Sequence, residues 1–531
     1  MRPSSPFKTV SAVMLSLVWL VVLAPVAARS VPTSHTAQGA DRLPSCPPAH
    51  QPLPESFPTR AVIVSDQRAH SLGSELTASP EFAAELINEI FAKSPDAKPQ
   101  VYLIASEDSF STARELLAEL NHSLSDAWLK QHLKRLTTAY PDLWLRDRLQ
   151  FVTHPDGVQL NTFLNRFTSE TLALGSEIRE ALNSVLSPLS FAAAPIAVNW
   201  HSGWAPIDGS LTSFFWNNGA TGGNVVALPG GLCAIGKSDL PEEKYWQFAE
   251  QSCGGRREDI IALPSYFLSP GHADEFVKVI PRQVSSRVGD DCAFSLLIAS
   301  PNLGQSLLNV HPEAPFIAPT QNRLAPHFVD IDKYYEKSPF LRNYIQGSVG
   351  YAVGKGFVPG SQILNGDVAE MLGRYPYAKA RQLMQNEIDK FKADVQRRLQ
   401  QRLACSVDFI EIPVLFAVNG ASLGPRASTD EAAPDEPEVL VRQQTFQGLP
   451  NSINGLAFAG GAILPDPLNK AFREHIEAQF NNRGLSVRFF NTTQFGHLLS
   501  GDLHCRTLTL HACQGNGVEQ PEGFWADKEE I

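Results

Sequence analysis

Hydrophobic positions fall into two periods along most of the chain. Short apolar runs closed by polar residues predict buried strands at Arg60-Ala-Val-Ile-Val64, Val101-Tyr-Leu-Ile104, Ala194 to Val198, Asn224 to Leu228, Ala293 to Ala299, Phe409-Ile-Glu-Ile412 and Leu485-Ser-Val-Arg-Phe-Phe490. Between them the spacing is helical. Phe82, Leu86, Ile87, Ile90 and Phe91 mark one face of Pro80 to Lys93, and Ser109 to Leu120 gives a second helix. The strongest helix is Tyr377 to Leu403, where Met384, Ile388, Phe391, Val395, Leu399 and Leu403 form one apolar stripe opposite Lys, Arg, Gln and Asp. Pro467 to Arg483 reads as a helix stopped by Gly484 at the position after the C-cap. Alternation of strands and helices indicates an α/β layer architecture. No fixed-period repeat is visible, although strand–helix units recur.

The N-terminus departs from this pattern. Arg2 and Lys8 precede an almost wholly apolar stretch, Val10 to Val26, and Val26-Ala-Ala28 offers small residues for cleavage, so residues 1–28 read as an export signal and the mature protein as secreted or periplasmic. Residues 29–58, rich in Pro, Ser, Thr and His, read as a loosely packed arm or linker. Residues 516–531 form a polar tail.

Composition narrows the function. Of 531 residues, 43% are hydrophobic, which supplies a sizeable core. A net charge of −11 without a basic block argues against nucleic acid as the main partner and suits attraction of cations. The seven cysteines are an odd number in an oxidising compartment, so at least one thiol stays unpaired. Cys233 and Cys253 suit a local disulfide, and no Cys/His cluster has structural-zinc spacing.

Three separated stretches carry candidate chemistry. Ser500-Gly-Asp-Leu-His-Cys505 places a thiol just beyond a glycine turn. Trp144-Leu-Arg-Asp147 reads as a strand end carrying a carboxylate. Ser269-Pro-Gly-His-Ala-Asp-Glu275 sets His272 and Asp274 two apart, on one face if the segment is extended. A thiolate needs a base or positive charge beside it, which His272 would supply. Two carboxylates would clamp a flat cation presenting N–H groups on several edges, which describes a guanidinium. His504 is set aside, because neighbours on a strand face opposite ways.

Taken in chain order, Trp144-Leu-Arg-Asp147, Gly271-His-Ala-Asp-Glu275 and Gly501-Asp-Leu-His-Cys505 resemble the three active-site motifs of the protein-arginine deiminases. Phe409-Ile-Glu-Ile-Pro-Val-Leu-Phe416, Asn451-Ser-Ile-Asn454 and Ile463-Leu-Pro-Asp-Pro467 are similar as well. The likeness covers roughly residues 60 to 515, giving a catalytic domain at 59–515 without the amino-terminal immunoglobulin-like domains of the vertebrate enzymes. It implies a pentein fold, a propeller of five α/β modules. It also implies hydrolytic deimination of peptidyl arginine in proteins or peptides, with Cys505 as nucleophile, His272 as general acid and base, Asp147 and Asp274 on the guanidinium, Trp144 beside the aliphatic stem and Arg166 on the peptide backbone.

The family's calcium ligands have no match here. Arg146, Arg148 and Gln150 flank Asp147, Val226 replaces a glutamate, and Asn161 an aspartate. Hard cations need clustered oxygens, so no metal or other cofactor is expected, with the arginines carrying the missing positive charge. Two alternatives are a deiminase of agmatine or free or methylated arginine, and a silent binding protein on the same fold. An intact set of reactive residues speaks against the second.

Overall fold

Strand pairing in a computed structural model turns the apolar runs into a repeated unit. The described residues are 51–57, 59–66, 79–93, 99–138, 144–154, 157–162, 168–186, 198–200, 222–237, 242–263, 265, 272–282, 291–318, 363–373, 377–418, 445–447, 449–492 and 502–511. All belong to one compact unit, Leu43–Ile531.

The first sheet contains β1 (Thr59–Ser65), β2 (Gln100–Ile104) and β3 (Leu133–Leu136), with α1 (Pro80–Lys93), α2 (Glu107–Leu120) and α3 (Asp126–His132) between them. Its fourth strand, β18 (Thr507–His511), comes from the far end of the chain and pairs antiparallel with β1, while β2 pairs parallel on the other side. The second sheet follows α4 (Leu145–Arg148) and holds β4 (Leu149–His154), β5 (Gly157–Thr162), α5 (Thr168–Leu186) and β6 (Val198–Trp200). The third holds β7 (Val225–Leu228), β8 (Leu232–Gly236), α6 (Glu242–Cys253) and β9 (Ile260–Leu263). The fourth holds β10 (Val277–Pro281), β11 (Asp291–Ser300), α7 (Pro301–Val310), α8 (Asn365–Gly373), α9 (Tyr377–Leu403) and β12 (Ser406–Pro413). A two-stranded ribbon, β13 (Phe416–Val418) and β14 (Thr445–Gln447), precedes the fifth: β15 (Leu456–Phe458), β16 (Gly461–Pro465), α10 (Lys470–Asn481) and β17 (Ser486–Phe490).

Each sheet repeats one rule. An antiparallel first strand runs beside a middle strand, and a segment containing helix returns the chain to a strand parallel to the middle one. Parallel pairing requires such a crossover. Two of the middle strands, β8 and β16, are accordingly near-continuous apolar runs, buried at every position. The helices seal these faces. In α9, Ala380, Met384, Ile388, Phe391, Val395 and Leu399 are all buried. Each large side chain of this stripe contributes about 1.5–3 kcal/mol by leaving water. Helix ends are set by side chains: Ser106 accepts from the Ser109 N–H at α2, and Asn469 from those of Ala471 and Phe472 at α10. Gly484 takes the expected left-handed conformation, φ +66°.

Two disulfides brace the third and fourth units. Cys233–Cys253 ties β8 to the end of α6, and Cys292–Cys405 ties the start of β11 to the turn after α9. Cys505 is the free cysteine among the described residues; Cys46 and Cys513 lie outside them. Part of the arm departs from expectation. Gln51, Pro52, Leu53 and Pro54 are buried, and the segment runs along β4, with Leu53 N–H donating to the Phe151 carbonyl (3.2 Å) and Thr153 N–H to that of Gln51 (2.8 Å). Its sequence lacks periodicity because proline and one ladder of hydrogen bonds, not an apolar stripe, hold it.

Candidate active site

The side chains singled out in the sequence sit on the segments that lead into the first strand of successive units. Asp147 lies two residues ahead of β4, Asp274 three ahead of β10 and Cys505 two ahead of β18. Two residues without an assigned role occupy equivalent places: Gly223 before β7 and Asn454 before β15. One repeated geometry thus delivers five chain segments, and residues far apart in sequence meet.

Asp147, His272 and Cys505 are together, their carboxylate, imidazole and thiol donor atoms all within 4.8 Å of one another. His272 Nδ1 is 3.7 Å from Asp147 Oδ1. Carboxylate, imidazole and thiolate are also donor types that a transition metal accepts. Gly223 backs the cluster: a Cβ there would sit 2.7 Å from His272 Nδ1 and 3.1 Å from Asp147 Oδ1.

Local structure differs from the expectation in three places. Asp147 is on the single helical turn α4, not on a strand end, because Trp144 takes a non-strand φ of −99° and ψ of 70° and its carbonyl accepts the Asp147 N–H. His272 is extended, but Asp274 lies in a 3₁₀ turn, Ala273–Glu275. The two side chains therefore part company: His272 faces Asp147, while Asp274 Oδ2 takes a 2.6 Å hydrogen bond from His504 Nδ1. The stretch Leu503–Arg506 is likewise a turn, so strand alternation does not apply, and His504 is as buried as Cys505. His504 Nε2 is 2.7 Å from Glu55 Oε1, and Glu55 Oε2 is 2.7 Å from Lys278 Nζ. Arg166 lies outside the described residues, and Trp144 is half-buried at the N-cap of α4.

A polar scaffold fixes the Cys505 turn. Asn454 Oδ1 accepts from the backbone N–H groups of His504 (3.1 Å) and Cys505 (3.4 Å), and its Nδ2 donates to Cys505 Sγ (3.4 Å). The Cys505 carbonyl accepts the Arg146 N–H. Asp502 accepts from Thr492 Oγ1 (2.6 Å) and the Asn451 N–H (3.0 Å), and Asn451 Nδ2 donates to the Glu275 carbonyl (2.7 Å). The Cys505 and His272–Asp274 turns are thereby locked together. An Asn with a strand two residues on was the available signal for Asn454; no pattern pointed to Glu55.

Charge is concentrated here. Burial pushes Asp147 up to about 6, against the pull of His272, His504 and Arg146. Burial would raise Asp274 too, but the His504 hydrogen bond and the charges of His504, His272 and Lys278 outweigh it and hold the carboxyl below its ordinary value. Burial and then the carboxylates of Asp274 and Asp147 push the Cys505 thiol well up. The expected preformed thiolate beside His272 is not what this field favours. Asp147 Oδ1 and Asp274 Oδ1 are buried and accept no hydrogen bond among the described residues. Asp147 Oδ1 stands beside the thiol and the imidazole, and the Asp274 charge also acts on Cys505; acceptors so placed suit a flat cationic donor.

The model of one family, protein-arginine deiminase, matches residues 228–514, more than half of the chain. The chain belongs to the protein-arginine deiminase family. The deiminase is thus a hydrolase that modifies guanidino groups. No curated protein sequence matches it. Among solved structures, an agmatine deiminase from C. jejuni is 11% identical, covering 87% of this chain and 96% of that one at a TM-score of 0.40. A Cys-to-Ser variant of that enzyme with substrate bound is 10% identical, with 87% and 96% covered and a TM-score of 0.41. A structure from Porphyromonas gingivalis assigned as an arginine deiminase is 10% identical, with 88% and 98% covered and a TM-score of 0.42. Similarity at this level carries no argument about the deiminase's substrate.

Proposed function

We propose that the protein hydrolyses peptidyl arginine to peptidyl citrulline, releasing ammonia through a covalent thiouronium on Cys505. The observation that carries this is Asp147 Oδ1, a buried oxygen that accepts no hydrogen bond among the described residues and lies in the cluster that holds Cys505 and His272, with the likewise unbonded Asp274 Oδ1 two residues beyond His272. The guanidinium donates to both carboxylates. Its positive charge offsets the two anions that keep the thiol protonated, so binding favours ionisation of Cys505, whose proton passes to His272. Asn454 Nδ2 donates to the sulfur as charge develops. Sulfur adds to the guanidinium carbon, His272 protonates a terminal nitrogen, and that C–N bond breaks to release ammonia. His272 then takes a proton from water, whose oxygen attacks the adduct carbon. The C–S bond breaks, returning the thiol and leaving citrulline. Trp144 flanks the aliphatic stem and Arg166 contacts the peptide backbone.

The reaction runs without calcium in this proposal. Beside Asp147, where the family places oxygen ligands, stands Arg146. Its guanidinium is buried, and the acidic neighbours bearing on it are Glu55, Asp274, Cys505 and Asp147. A resident cation amid these anions leaves no suitable oxygen cage for a second. The same proposal places the five strand–helix units around a common axis as a propeller, which accounts for the convergence of their leading segments. It also has the protein exported, in keeping with the two disulfides among the described residues.

Citrulline formation from an arginine peptide blocked at both ends, with and without a chelator, tests the proposal. Equal turnover in both conditions and none by Cys505→Ala are expected. Conversion of agmatine but not of the blocked peptide would sink peptidyl specificity, and chelator sensitivity would sink calcium independence.

A further inference from the structure

We infer that Glu55, carried by the N-terminal arm, is a positioning residue of the active site, acting through His504 to orient Asp274 toward the guanidinium. The inference deepens the proposed function and rests on Asp274 receiving the substrate's positive group.

The geometry is a chain of contacts reaching from the arm to the substrate oxygen. The arm is held in place independently of the site: Gln51 exchanges hydrogen bonds with Thr153, Leu53 donates to Phe151, and beyond Glu55 the Phe57 carbonyl lies 3.0 Å from His511 Nδ1. Glu55 is therefore presented from a pinned backbone, with its carboxylate only 14% exposed. One oxygen faces His504 Nε2 and the other Lys278 Nζ, each at 2.7 Å. His504 Nδ1 in turn meets Asp274 Oδ2 at 2.6 Å. Glu55 and Asp274 are both held in the ionised form by the neighbouring cations, so neither has a proton to give. The His504 ring is thus fixed between two carboxylates, one at each nitrogen. With Oδ2 committed to His504, Asp274 can offer only Oδ1 inward, and Oδ1 is the oxygen that accepts no hydrogen bond.

Glu55 also balances Lys278, whose ammonium is 2% exposed. Loss of the carboxylate charge would leave that cation uncompensated near a site for another cation. Two roles are thus possible for one residue, orientation through His504 and neutralisation of Lys278, and variants separate them.

The experiment measures KM and kcat for the blocked arginine peptide, and equilibrium binding of the same peptide to Cys505→Ala protein by calorimetry. Glu55→Gln is expected to raise KM and the dissociation constant about tenfold, with kcat changed less than threefold, because an orienting contact made in ground and transition states alike appears as uniform binding. Glu55→Asp keeps the buried charge but withdraws it by one methylene from His504; it is expected to fall between, and it decides the matter if Glu55→Gln does not fold. The double variant Glu55→Gln/Lys278→Met removes both charges and is expected to stay impaired. Unchanged binding in Glu55→Gln and Glu55→Asp would overturn the inference, as would full recovery in the double variant, which would reduce Glu55 to a counter-ion of Lys278. Inactive wild-type protein that still binds the peptide, and loses it with Glu55→Gln, would refute the proposed reaction and leave the positioning role standing.

Discussion

Gly223→Ala adds one methyl group at the back of the cluster, and its effect follows from three distances. The new Cβ would lie 2.7 Å from His272 Nδ1, 3.3 Å from His272 Cε1 and 3.1 Å from Asp147 Oδ1. Ordinary non-bonded contact begins near roughly 3.4 Å, so the imidazole must retreat by about 0.7 Å or the turn Gly222–Asn224 must give. The ring is 3% exposed and has little room to move. Misplacing a reacting group by ~1 Å costs about a hundredfold, so a loss of about 30- to 100-fold in kcat/KM is expected, or ~2–2.7 kcal/mol of barrier. Overpacking costs stability as well, by ~1–3 kcal/mol, which a folded domain of this size survives. The assay pairs kcat/KM on the blocked peptide with a denaturant melt. Gly373→Ala is the matched control, since its Cβ would meet nothing closer than 3.5 Å, and it should leave both quantities unchanged. A folded Gly223→Ala protein with kcat/KM within threefold of wild type would refute the placement of His272 and Asp147 against this turn.

Two further outcomes are expected. Asp147 titrates near 6 and must be ionised to hold a cation, so kcat/KM should fall about tenfold per pH unit below that point; a profile flat from pH 5 to 7 would exclude this role. The sign for stability is opposite: the folded state holds the Asp147 proton more tightly than the unfolded chain, so this group's contribution falls as pH rises from about 4 toward 6. Removing Cys292–Cys405, whose partners are 113 residues apart, should cost about 5 kcal/mol in a denaturant titration, and removing Cys233–Cys253, 20 apart, about 3. Equal and negligible losses would show that the closed loops are already constrained in the unfolded chain.

The elements legible in the sequence were those with strong local causes. The α9 stripe and the run in β1 declare themselves because burial on one face or two leaves a periodic mark. Asp147, His272 and Cys505 were legible as an ordered set, and they are brought together. What escaped was set by turns rather than periods. His504 was assigned outward on the assumption of a strand, whereas the turn Leu503–Arg506 sends it inward. Glu55 sits in an aperiodic, proline-rich arm, and its function depends on partners more than two hundred residues away. Asn454 stood in a recognised segment, but its three bonds to His504 and Cys505 depend on two units meeting. The repeated sheet left no sequence period because segments of unequal length separate its strands.

The pairing of β1 with β18 also has a consequence in time. Thr59 is joined to His511, and Cys505 stands just ahead of that closing strand. A ribosome that has passed residue 490 has already made Glu55, Asp147, His272, Asp274 and Asn454, but not Cys505. Contacts between such distant partners form late, after the loops between them have closed. A chain that has not yet reached β18 therefore has neither the closing strand of the first sheet nor Cys505 beside Asp147 and His272.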